Sequence, residues 1–522
     1  MKKLISCILM LAIVLTPMAV VSANSKTDLF WDKNAGNMEE RFECAKNSEP
    51  ELIAFMRQMP KGADLHNHLS GATYSDYILD SAEKNGLLYD LDTNVFFSPA
   101  QSSQHKNYIT TEQLQSHSVY LEQFLNAYSM RGWYPNTTNG HDHFFDTFNY
   151  MGSANRSTDD MLIEVLNRNI YENVKYLELM TNSLPNNYVN LFNTMPADFD
   201  IKNLDTAFED AMKIVNSNQA LVSSSIKGLL DARDKMLKDN GLSIGAGKDI
   251  DVRYIQQLGR STNDMRGFFI SAFYSAYALQ VDKRIAGVNI VQAEDTPYSR
   301  KYFNEEMTIL DYIWKKLDKP AFTLHAGELE LRGSPVEPME DRITQTINKG
   351  HALRIGHGVA VAWENNVPKL LKEMKDKNVL VEICLSSNES ILGVENNEHP
   401  FTMYRKAGVK TALCTDDEGV SRGNLTEEYV KAVQRYGLSY RELKNISRNS
   451  IEYSFLQGQS LYINGDYTKI RKEFLGMLNV NYKITKKLQD LLNANPKMER
   501  EYALERAYVT FENSLLSGTF GN

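Results

Sequence analysis

Cysteine is scarce in this chain, with four residues in 522. Cys7 lies in an apolar N-terminal stretch, and the other three, Cys44, Cys384 and Cys414, are an odd and widely spaced set. Such a set does not form a disulfide framework, even in an exported protein. Cys384 and Cys414 lie inside apolar runs typical of strands, so we expect them to be buried free thiols.

The chain also lacks an excess of basic residues and any long hydrophobic run beyond its first 23 residues. The formal net charge is −9, and lysine and arginine are scattered along the sequence. This composition argues against a nucleic-acid groove and against a polyanionic substrate. We find no internal repeat and no low-complexity tract, and the chain is long enough to form a large globular core.

The N-terminus has the three parts of a secretory signal peptide. "MKK" is basic, "LISCILMLAIVLTPMAVV" is apolar, and "VSA" before Asn24 is a small-residue cleavage site. The apolar part is short and interrupted by Pro17, which favours a cleaved signal over a membrane anchor. Residues 1–23 therefore predict a secreted or periplasmic protein with no membrane attachment after cleavage.

Short apolar runs alternate with helical patterns over most of the chain. Eight of these runs are bounded by polar or glycine-containing turns and indicate strands: 63–69, 174–180, 252–258, 285–291, 321–327, 353–358, 379–387 and 409–417. Eight strands alternating with helices predict an α/β fold of the (β/α)8 TIM-barrel type. An open doubly wound sheet is the alternative.

The segments around these runs define the domain organisation. Residues 24–60 are expected to form a helical N-terminal extension, and residues 61–455 the barrel. The stretch of about 70–160 is too long for one crossover, so we interpret it as an insertion of helices and loops over the barrel mouth. Residues 456–522 are predicted to be C-terminal helices that pack on the barrel.

Polar side chains that can bind metal or transfer protons stand at the ends of four of the predicted strands. They stand in "LHNHL", "HAGE", "GHG" and "TDD": His66, His68, His325, Glu328, His357, Asp416 and Asp417. Enzymatic sites of such barrels lie at the C-terminal ends of the strands. Three imidazoles and one carboxylate suit Zn²⁺, which lowers the pKa of a bound water towards neutrality. Each motif alone is a weak signal, but their joint occurrence predicts one metal site.

Longer blocks around these residues resemble the adenosine deaminase family. "MPKGADLHNHLSGA", "TLHAGE", "RIGHGVAV", "VEICLSSN" and "TDDEGVSRGNLTEEY" occur in the family's order. "MPKG", "AGVNIVQAEDT" and the signal peptide look more like the secreted adenosine deaminase growth factor branch. The resemblance implies zinc-dependent hydrolytic deamination of adenosine to inosine and of 2′-deoxyadenosine to 2′-deoxyinosine, each with release of ammonia.

The resemblance also implies a role for each residue of the site. One zinc ion per chain would be held by His66, His68, His325 and Asp416. Glu328 would protonate purine N1, His357 would orient the attacking hydroxide and stabilise the developing charge, and Asp417 would hydrogen-bond to purine N7. The residue types by themselves support the ligand set and a proton-transfer role for Glu328, but they do not identify purine.

Some positions near these blocks depart from the family pattern. Ser70 stands where many relatives carry an aspartate that binds the ribose 5′-hydroxyl, and Gln292 replaces a glycine whose N–H approaches purine N3. Asn289 replaces an aspartate common at its strand end. Phe144 and Phe148 are four residues apart on one predicted helix face, where they line the nucleoside pocket or pack in the core.

Other histidines and acids are open to more than one interpretation. His141 and His143 form a second H-x-H pair without further ligands to complete a metal site. Glu294 and Asp295 either face the pocket or cap a helix. We expect His351 and His399, in connecting segments, to be exposed: neither belongs to a motif.

Three alternatives to an adenosine deaminase remain. A deaminase of another 6-aminopurine nucleoside, such as a 5′-modified adenosine, is suggested by Ser70. A catalytically weak, growth-factor-like binding protein is suggested by the branch resemblance, although every expected ligand and Glu328 are present. A two-metal amidohydrolase acting on cyclic amides or esters is the third, but such enzymes often need a modified lysine at strand four, and "AGVNIV" has no lysine. The growth factor branch forms homodimers through an N-terminal extension, for which residues 24–60 look short.

Overall fold

The fold is described here from a computed structural model. The structure describes residues 29–32, 34–133 and 140–521. The predicted signal peptide, residues 1–23, and the first residues of the predicted helical extension lie outside these ranges. Within them, no helix is both long and apolar enough to span a lipid bilayer.

Eight parallel strands form a closed barrel, as the alternation of apolar runs predicted. In chain order they are β1 (Ala63–His68), β2 (Tyr176–Met180), β3 (Asp251–Gly259), β4 (Ile285–Val291), β5 (Thr323–Ala326), β6 (Arg354–His357), β7 (Leu380–Ile383) and β8 (Lys410–Leu413). Hydrogen bonds order them as two four-stranded sheets, β1 to β4 and β5 to β8. Parallel bridges join Val288 to Phe322 and Asn67 to Asp416, and these two seams close the barrel.

Helices cover the outer surface of the barrel, so its strands are buried on both faces. Every residue of β1, β2, β5, β6 and β7 is buried. A parallel strand covered on both faces has an unbroken apolar sequence instead of an alternating one. Cys384 and Cys414, which directly follow β7 and β8, are buried free thiols, as predicted.

Helices cross between successive strands and complete the βα units. The principal ones are Thr158–Tyr171 before β2, Leu204–Ser217 and Gln219–Asp239 before β3, Met265–Val281 before β4, Phe303–Lys316 before β5, Arg342–Asn348 before β6, Val367–Asp376 before β7 and Phe401–Ala407 before β8. Shorter helices follow the strands: Asn186–Val189, Pro297–Lys301, Leu385–Leu392 and Glu418–Ser421. Leu425–Tyr436 and Tyr440–Glu452 follow β8.

The segment between β1 and β2 forms a cap over the barrel mouth. Its helices are Leu69–Ala72, Ser75–Lys84, Thr111–Ser116, Ser118–Ala127 and Gly140–Met151. The prediction of helices and loops was incomplete, since Leu88–Asp90, Phe96–Phe97 and Tyr108–Thr110 form a small antiparallel sheet. The cap has its own apolar core, which includes Val359 and Val420 from the loops after β6 and β8.

The two ends of the described chain meet on one side of the barrel. The N-terminal helices Met38–Ala45 and Glu49–Gln58 lie against the C-terminal helix Pro496–Ser517. Phe55 packs edge-on against Tyr440 and Phe511, with ring centroids 5.8 and 5.3 Å apart. Lys486–Asn493 is a second C-terminal helix.

The expectation that residues 456–522 are only helical was wrong. Tyr462–Ile463 and Asp466–Ile470 form an antiparallel hairpin. Its turn is Asn464-Gly465, and both residues have positive φ angles, 56° and 68°. Asn-Gly is the dipeptide that favours this two-residue turn, because both positions tolerate left-handed backbone.

Candidate metal centre and active site

Four side chains from β1, β5 and the loop after β8 converge at the barrel mouth. The Nε2 atom of His66 lies 3.1 Å from His325 Nε2 and 3.3 Å from His68 Nε2. Asp416 Oδ1 lies 3.5 Å from His66 Nε2 and 3.3 Å from His68 Nε2. All four residues are buried, and their ligand atoms form one compact group.

The hydrogen-bond partner of Nδ1, the nitrogen that faces away from the cluster, fixes the tautomer of each histidine ring. His66 Nδ1 contacts Glu382 Oε2 at 2.8 Å, His68 Nδ1 contacts Gln257 Oε1 at 2.7 Å, and His325 Nδ1 contacts Asn289 Oδ1 at 3.0 Å. All three partners are oxygen acceptors, so each Nδ1 carries the proton and donates it outward. The three Nε2 lone pairs then face one another, which is unfavourable unless a cation lies between them.

The spacing of these donors fits one shared zinc ion. Two ligand atoms that each lie about 2.0–2.1 Å from the same Zn²⁺ are about 3.2–3.4 Å apart when the angle between them is about 105–110°. The four measured separations, 3.1 to 3.5 Å, bracket that value. Imidazole and carboxylate ligands, oriented by outer hydrogen-bond partners, are also the donor types of known zinc sites.

The charges of the cluster suit a cation as well. Burial lowers the pKa of His325 well below its ordinary value and also lowers that of His68, so both rings are neutral. Burial opposes ionisation of Asp416, but its hydrogen bond with His66 lowers its pKa overall. Burial would lower the pKa of His66 too, yet Asp416 and Glu382 raise it to about 10. This position therefore favours a positive charge.

The backbone of β1 and β8 brings these ligands together. The pairing of β1 with β2 is irregular between Asp64 and Asn67, a bulge that spans His66. On the other side, Asp416 N–H donates to His66 O at 2.8 Å and His68 N–H donates to Asp416 O at 3.2 Å. Asn67, between the histidines, points the other way and donates to Thr415 and Glu418.

Two carboxyl groups beside the cluster favour their protonated forms. Burial raises the pKa of Glu328 well above its ordinary value, and the charges of Asp416 and Glu294 raise it further. Burial and Asp416 do the same for Asp417. Within the described residues, Glu328 Oε1 and Asp417 Oδ1 have no hydrogen-bond partner. Both can therefore donate a proton or a hydrogen bond to a molecule in the cavity.

His357 lies over the cluster without belonging to the four ligands. Its Nε2 is 4.0 Å from Asp416 Oδ2, and its ring centroid is 4.9 Å from that of His66. Burial lowers the pKa of His357 to about 3, so its ring is neutral. A neutral imidazole at this distance can hydrogen-bond to a group held between it and the ligands.

Three residues of the site have left-handed backbone without being glycine. The φ angles are 60° for Asp416, 67° for His357 and 82° for Gln292. Such conformations are costly for residues with a Cβ and cluster at functional sites. The close packing around Asp417 also requires a glycine, because a Cβ on Gly71 would lie 1.9 Å from Asp417 Oδ1.

A cavity of about 550 Å³ opens above the cluster. Its floor contains His68, His325, Asp416, Glu328 and Asp417, and its walls come from the cap and from the loops after β3, β4 and β7. The wall residues are Ser70, His141, Phe144, Phe145, Phe148, Ser261, Val291, Gln292, Ala293, Thr296 and Ile391, with Gln257 below them.

The structure places all the predicted substrate-binding residues on this cavity. Phe144 and Phe148 line it from one helix of the cap, and Phe144 also packs in the cap core. Gln292 Oε1 accepts a hydrogen bond from the Ser261 N–H at 2.9 Å, which holds the side chain across the wall. The Ser70 carbonyl accepts from Arg156 at 2.6 Å.

The second H-x-H pair does not form a metal site within the described residues. His141 contacts Asp295 at the cavity rim, whereas His143 contacts the carbonyl of Ser129. The structure also separates the adjacent acids Glu294 and Asp295. Glu294 accepts a hydrogen bond from the Glu328 backbone N–H at 2.8 Å, whereas Asp295 contacts His141.

The expected exposure of His399 and His351 was wrong. His399 is 3% exposed and contacts Asn388 Oδ1 at 3.1 Å. His351 is partly buried because its ring stacks on Trp314, with centroids 3.8 Å apart. His399 lies against Asn388 of the helix Leu385–Leu392 and against the ring of Tyr436 after β8, contacts that its position in the sequence does not reveal.

Sequence reasoning missed the outer partners of the ligands. Glu382 on β7, Gln257 on β3 and Asn289 on β4 each accept a hydrogen bond from a ligand histidine, and Ser387 donates to Asp416 Oδ2 at 2.6 Å. Glu382 offered a signal, since it is a lone acid within an apolar buried strand. A buried charge is expected only where it has a partner.

Comparison with protein families gives one match over most of the chain. The model of the adenosine deaminase family matches residues 60–461. An adenosine deaminase of Clostridium botulinum (strain Okra / Type B1) is 22% identical over 414 residues, which cover 79% of this chain and 98% of the relative. An adenosine deaminase of Enterococcus faecalis is 35% identical, but over 135 residues, 26% of this chain and 36% of the relative.

Solved structures with a similar fold come from arabidopsis. The N6-mAMP deaminase matches with a TM-score of 0.50 and 19% identity, over 77% of this chain and 95% of that chain. ADAL complexed with IMP matches with a TM-score of 0.51 and 20% identity, over 77% and 93%. At this identity the likeness concerns the fold.

Proposed function

Because the chain belongs to the adenosine deaminase family, we propose that it deaminates adenosine and 2′-deoxyadenosine to the inosine product and ammonia, using one Zn²⁺ per chain. A single observation carries the proposal. Three imidazoles donate their Nδ1 protons outward and aim their Nε2 lone pairs, with Asp416, at one point on the floor of a cavity that also contains Glu328.

The side chains around that point supply the proton transfers of the reaction. His66, His68, His325 and Asp416 would hold Zn²⁺, which as a Lewis acid would lower the pKa of water towards neutrality. Glu328, kept protonated by burial, donates to purine N1 and makes C6 electrophilic. Asp417, also favoured in its protonated form, donates to the N7 acceptor. The oxygen of water adds at C6; one proton of water leaves with the amino group as ammonia, the other returns Glu328 to its neutral form, and N1 keeps the proton that Glu328 donated.

The cavity walls favour an uncharged nucleoside over a nucleotide. Phe144, Phe145 and Phe148 give one wall an aromatic surface against which a purine can pack. Among the described lining residues there is no lysine or arginine. A 5′-phosphate is normally recognised by such cations or by a helix N-terminus. AMP is therefore expected to be a poor substrate.

A 5′-modified adenosine is a second candidate substrate. Ser70 lines the cavity where the family pattern predicts an aspartate for the ribose 5′-hydroxyl. A serine hydroxyl makes a weaker hydrogen bond than a carboxylate and leaves more room. The enzyme is then expected to tolerate loss or replacement of the 5′-hydroxyl better than a relative with aspartate.

A spectrophotometric assay on samples of measured zinc content tests both candidates. Adenosine, 2′-deoxyadenosine, 5′-deoxyadenosine and AMP are compared for wild type and Ser70→Asp. Turnover of adenosine supports the first proposal, and a 5′-deoxyadenosine preference that Ser70→Asp reverses supports the second. Absence of turnover of every 6-aminopurine by zinc-loaded protein would refute both and favour a binding protein.

We also propose that the enzyme is exported. Residues 1–23 support this, since they combine a basic start, an apolar stretch and a small-residue cleavage site. Mass spectrometry of the protein recovered from its native host is expected to find a mature N-terminus at Asn24. An intact Met1 on the active protein would contradict export by cleavage.

A further inference from the structure

A chain of hydrogen bonds leads from the backbone of Phe401 to the ring of His357. Phe401 N lies 3.2 Å from His399 Nδ1, and His399 Nε2 lies 3.1 Å from Asn388 Oδ1. Asn388 Nδ2 then lies 3.0 Å from His357 Nδ1. The three side chains are buried and come from the loop before β8, the helix Leu385–Leu392 and the end of β6.

The direction of every bond in this chain follows from its first donor. A backbone N–H can only donate, so His399 Nδ1 accepts from Phe401 and carries no proton. The proton of the His399 ring is then on Nε2, which donates to Asn388 and identifies the facing atom as its amide oxygen. The other end of the Asn388 amide is therefore NH2, which donates to His357 Nδ1.

We propose that Asn388 and His399 are positioning residues that hold His357 in the tautomer protonated at Nε2. The inference rests on the proposed deaminase function and refines it. His357 Nε2 is buried and, within the described residues, has no hydrogen-bond partner, while it lies 4.0 Å from Asp416 Oδ2. The chain therefore aims an N–H group, not a lone pair, at the space beside the metal ligands.

This tautomer decides how His357 takes part in the reaction. A ring whose Nδ1 accepts from Asn388 and whose Nε2 is protonated has no free lone pair towards the cavity. It cannot take the proton of the nucleophile at Nε2, but it can donate a hydrogen bond to the oxygen that adds to purine C6. His357 thus orients the nucleophile and stabilises negative charge on that oxygen.

A direct test measures the protonated nitrogen of His357. The zinc-loaded wild type, labelled with ¹⁵N-histidine, is examined by long-range ¹H–¹⁵N NMR, and the His357 signals are assigned by their loss in His357→Gln. We expect a protonated Nε2 and an unprotonated Nδ1. A proton on Nδ1 of His357 in the wild type would overturn the proposal without any reference to activity.

Variants of the chain extend the test to catalysis. In Asn388→Asp a carboxylate faces His357 Nδ1, which favours the opposite tautomer, and in His399→Phe the donor to the amide oxygen is removed. Both are expected to lower kcat for adenosine by about 10- to 100-fold, less than the roughly 100- to 1,000-fold cost of removing an oxyanion donor outright, with zinc content and KM little changed. Asn397→Asp, an exposed position on the same loop, is the matched control.

The outcomes separate this inference from the proposed function. An inactive wild type with Nε2 protonated would refute the deaminase assignment and leave the tautomer in place. An active wild type in which Asn388→Asp keeps both full kcat and a protonated His357 Nε2 would refute the positioning role alone. If either variant fails to load zinc, the wild-type spectrum still decides.

Discussion

His66 donates its Nδ1 proton to Glu382 Oε2 over 2.8 Å, and this contact joins a metal ligand on β1 to a buried carboxylate on β7. Glu382 Oε1 accepts from Arg354 Nε at 2.6 Å and from Thr323 at 2.8 Å. Burial would raise the pKa of Glu382, but Arg354 and His66 lower it to about 2. The carboxylate therefore stays ionised and makes the His66 ring a stronger ligand.

We expect Glu382→Gln to weaken zinc binding by about 10- to 100-fold, the usual effect of removing such an outer partner. Arg354 keeps a counter-charge in Glu178, 2.6 Å away, so the variant is expected to fold. Competition with a chelator measures the change in affinity. Thr323→Val is the control, because it removes a hydrogen bond to Glu382 Oε1 only; an equal loss in both variants would contradict a specific role for the His66 contact.

Glu328→Gln is expected to lower kcat by about 100- to 10,000-fold, since an amide cannot donate a proton to purine N1 as a neutral carboxyl can. Zinc content should be unchanged, because Glu328 is not among the four ligands. Steady-state kinetics and elemental analysis on the same sample measure both. Glu330→Gln, two residues further along the loop, should keep wild-type turnover, and equal activity of the two variants would exclude the assigned proton transfer.

Removal of zinc should abolish activity and lower the melting temperature. An ion present at about 1,000 times its dissociation constant stabilises the folded state by about 4 kcal/mol, if the unfolded chain does not bind it. Differential scanning of chelated and reconstituted samples measures the shift, and Zn²⁺ is expected to restore both properties. Full turnover in a sample shown by elemental analysis to contain no metal would contradict the proposal.

Glu428→Gln should make stability less dependent on pH. Burial raises the pKa of Glu428 to about 7 in the folded protein, against 4.5 in the unfolded chain. The folded state thus favours the protonated carboxyl, and the stability it contributes is complete below pH 4.5 and lost as the pH rises through 7. This loss is on the order of 3 kcal/mol.

Melting temperatures at pH 5 and pH 8 test this linkage. The wild type is expected to lose more stability over the interval than Glu428→Gln, whose amide stays neutral and whose one oxygen, at the place of Glu428 Oε2, can still accept from the N–H groups of Leu385 and Ser386. Glu473→Gln, at an exposed position, should behave as wild type. An equal loss in the wild type and in Glu428→Gln would show that the buried group is already ionised at pH 5 in the folded protein.

The barrel could be predicted because its signal is local. Each buried parallel strand is a short apolar run with a turn at either end, and the ligand motifs follow four of these runs directly. The hairpin at Tyr462–Ile463 was also within reach, since Asn464-Gly465 is a strong local turn signal that the helical interpretation of this region overlooked.

The partners that orient the site could not be predicted in the same way. His66 and Glu382 are more than 300 positions apart, and His68 and Gln257 lie on different strands. Their pairing depends on strand order and register around the barrel, which no local pattern encodes. His399 shows the same limit, because its burial depends on contacts with Asn388 and with Tyr436, which lies 37 positions further along the chain.

The two seams of the barrel divide the metal ligands evenly. The sheet of β1 to β4 carries His66 and His68, and the sheet of β5 to β8 carries His325 and leads into Asp416. Neither half-barrel alone supplies more than two of these four ligands. Zinc affinity at the four-ligand site therefore reports the assembly of the two halves, and separately expressed fragments should acquire the full affinity only when they associate.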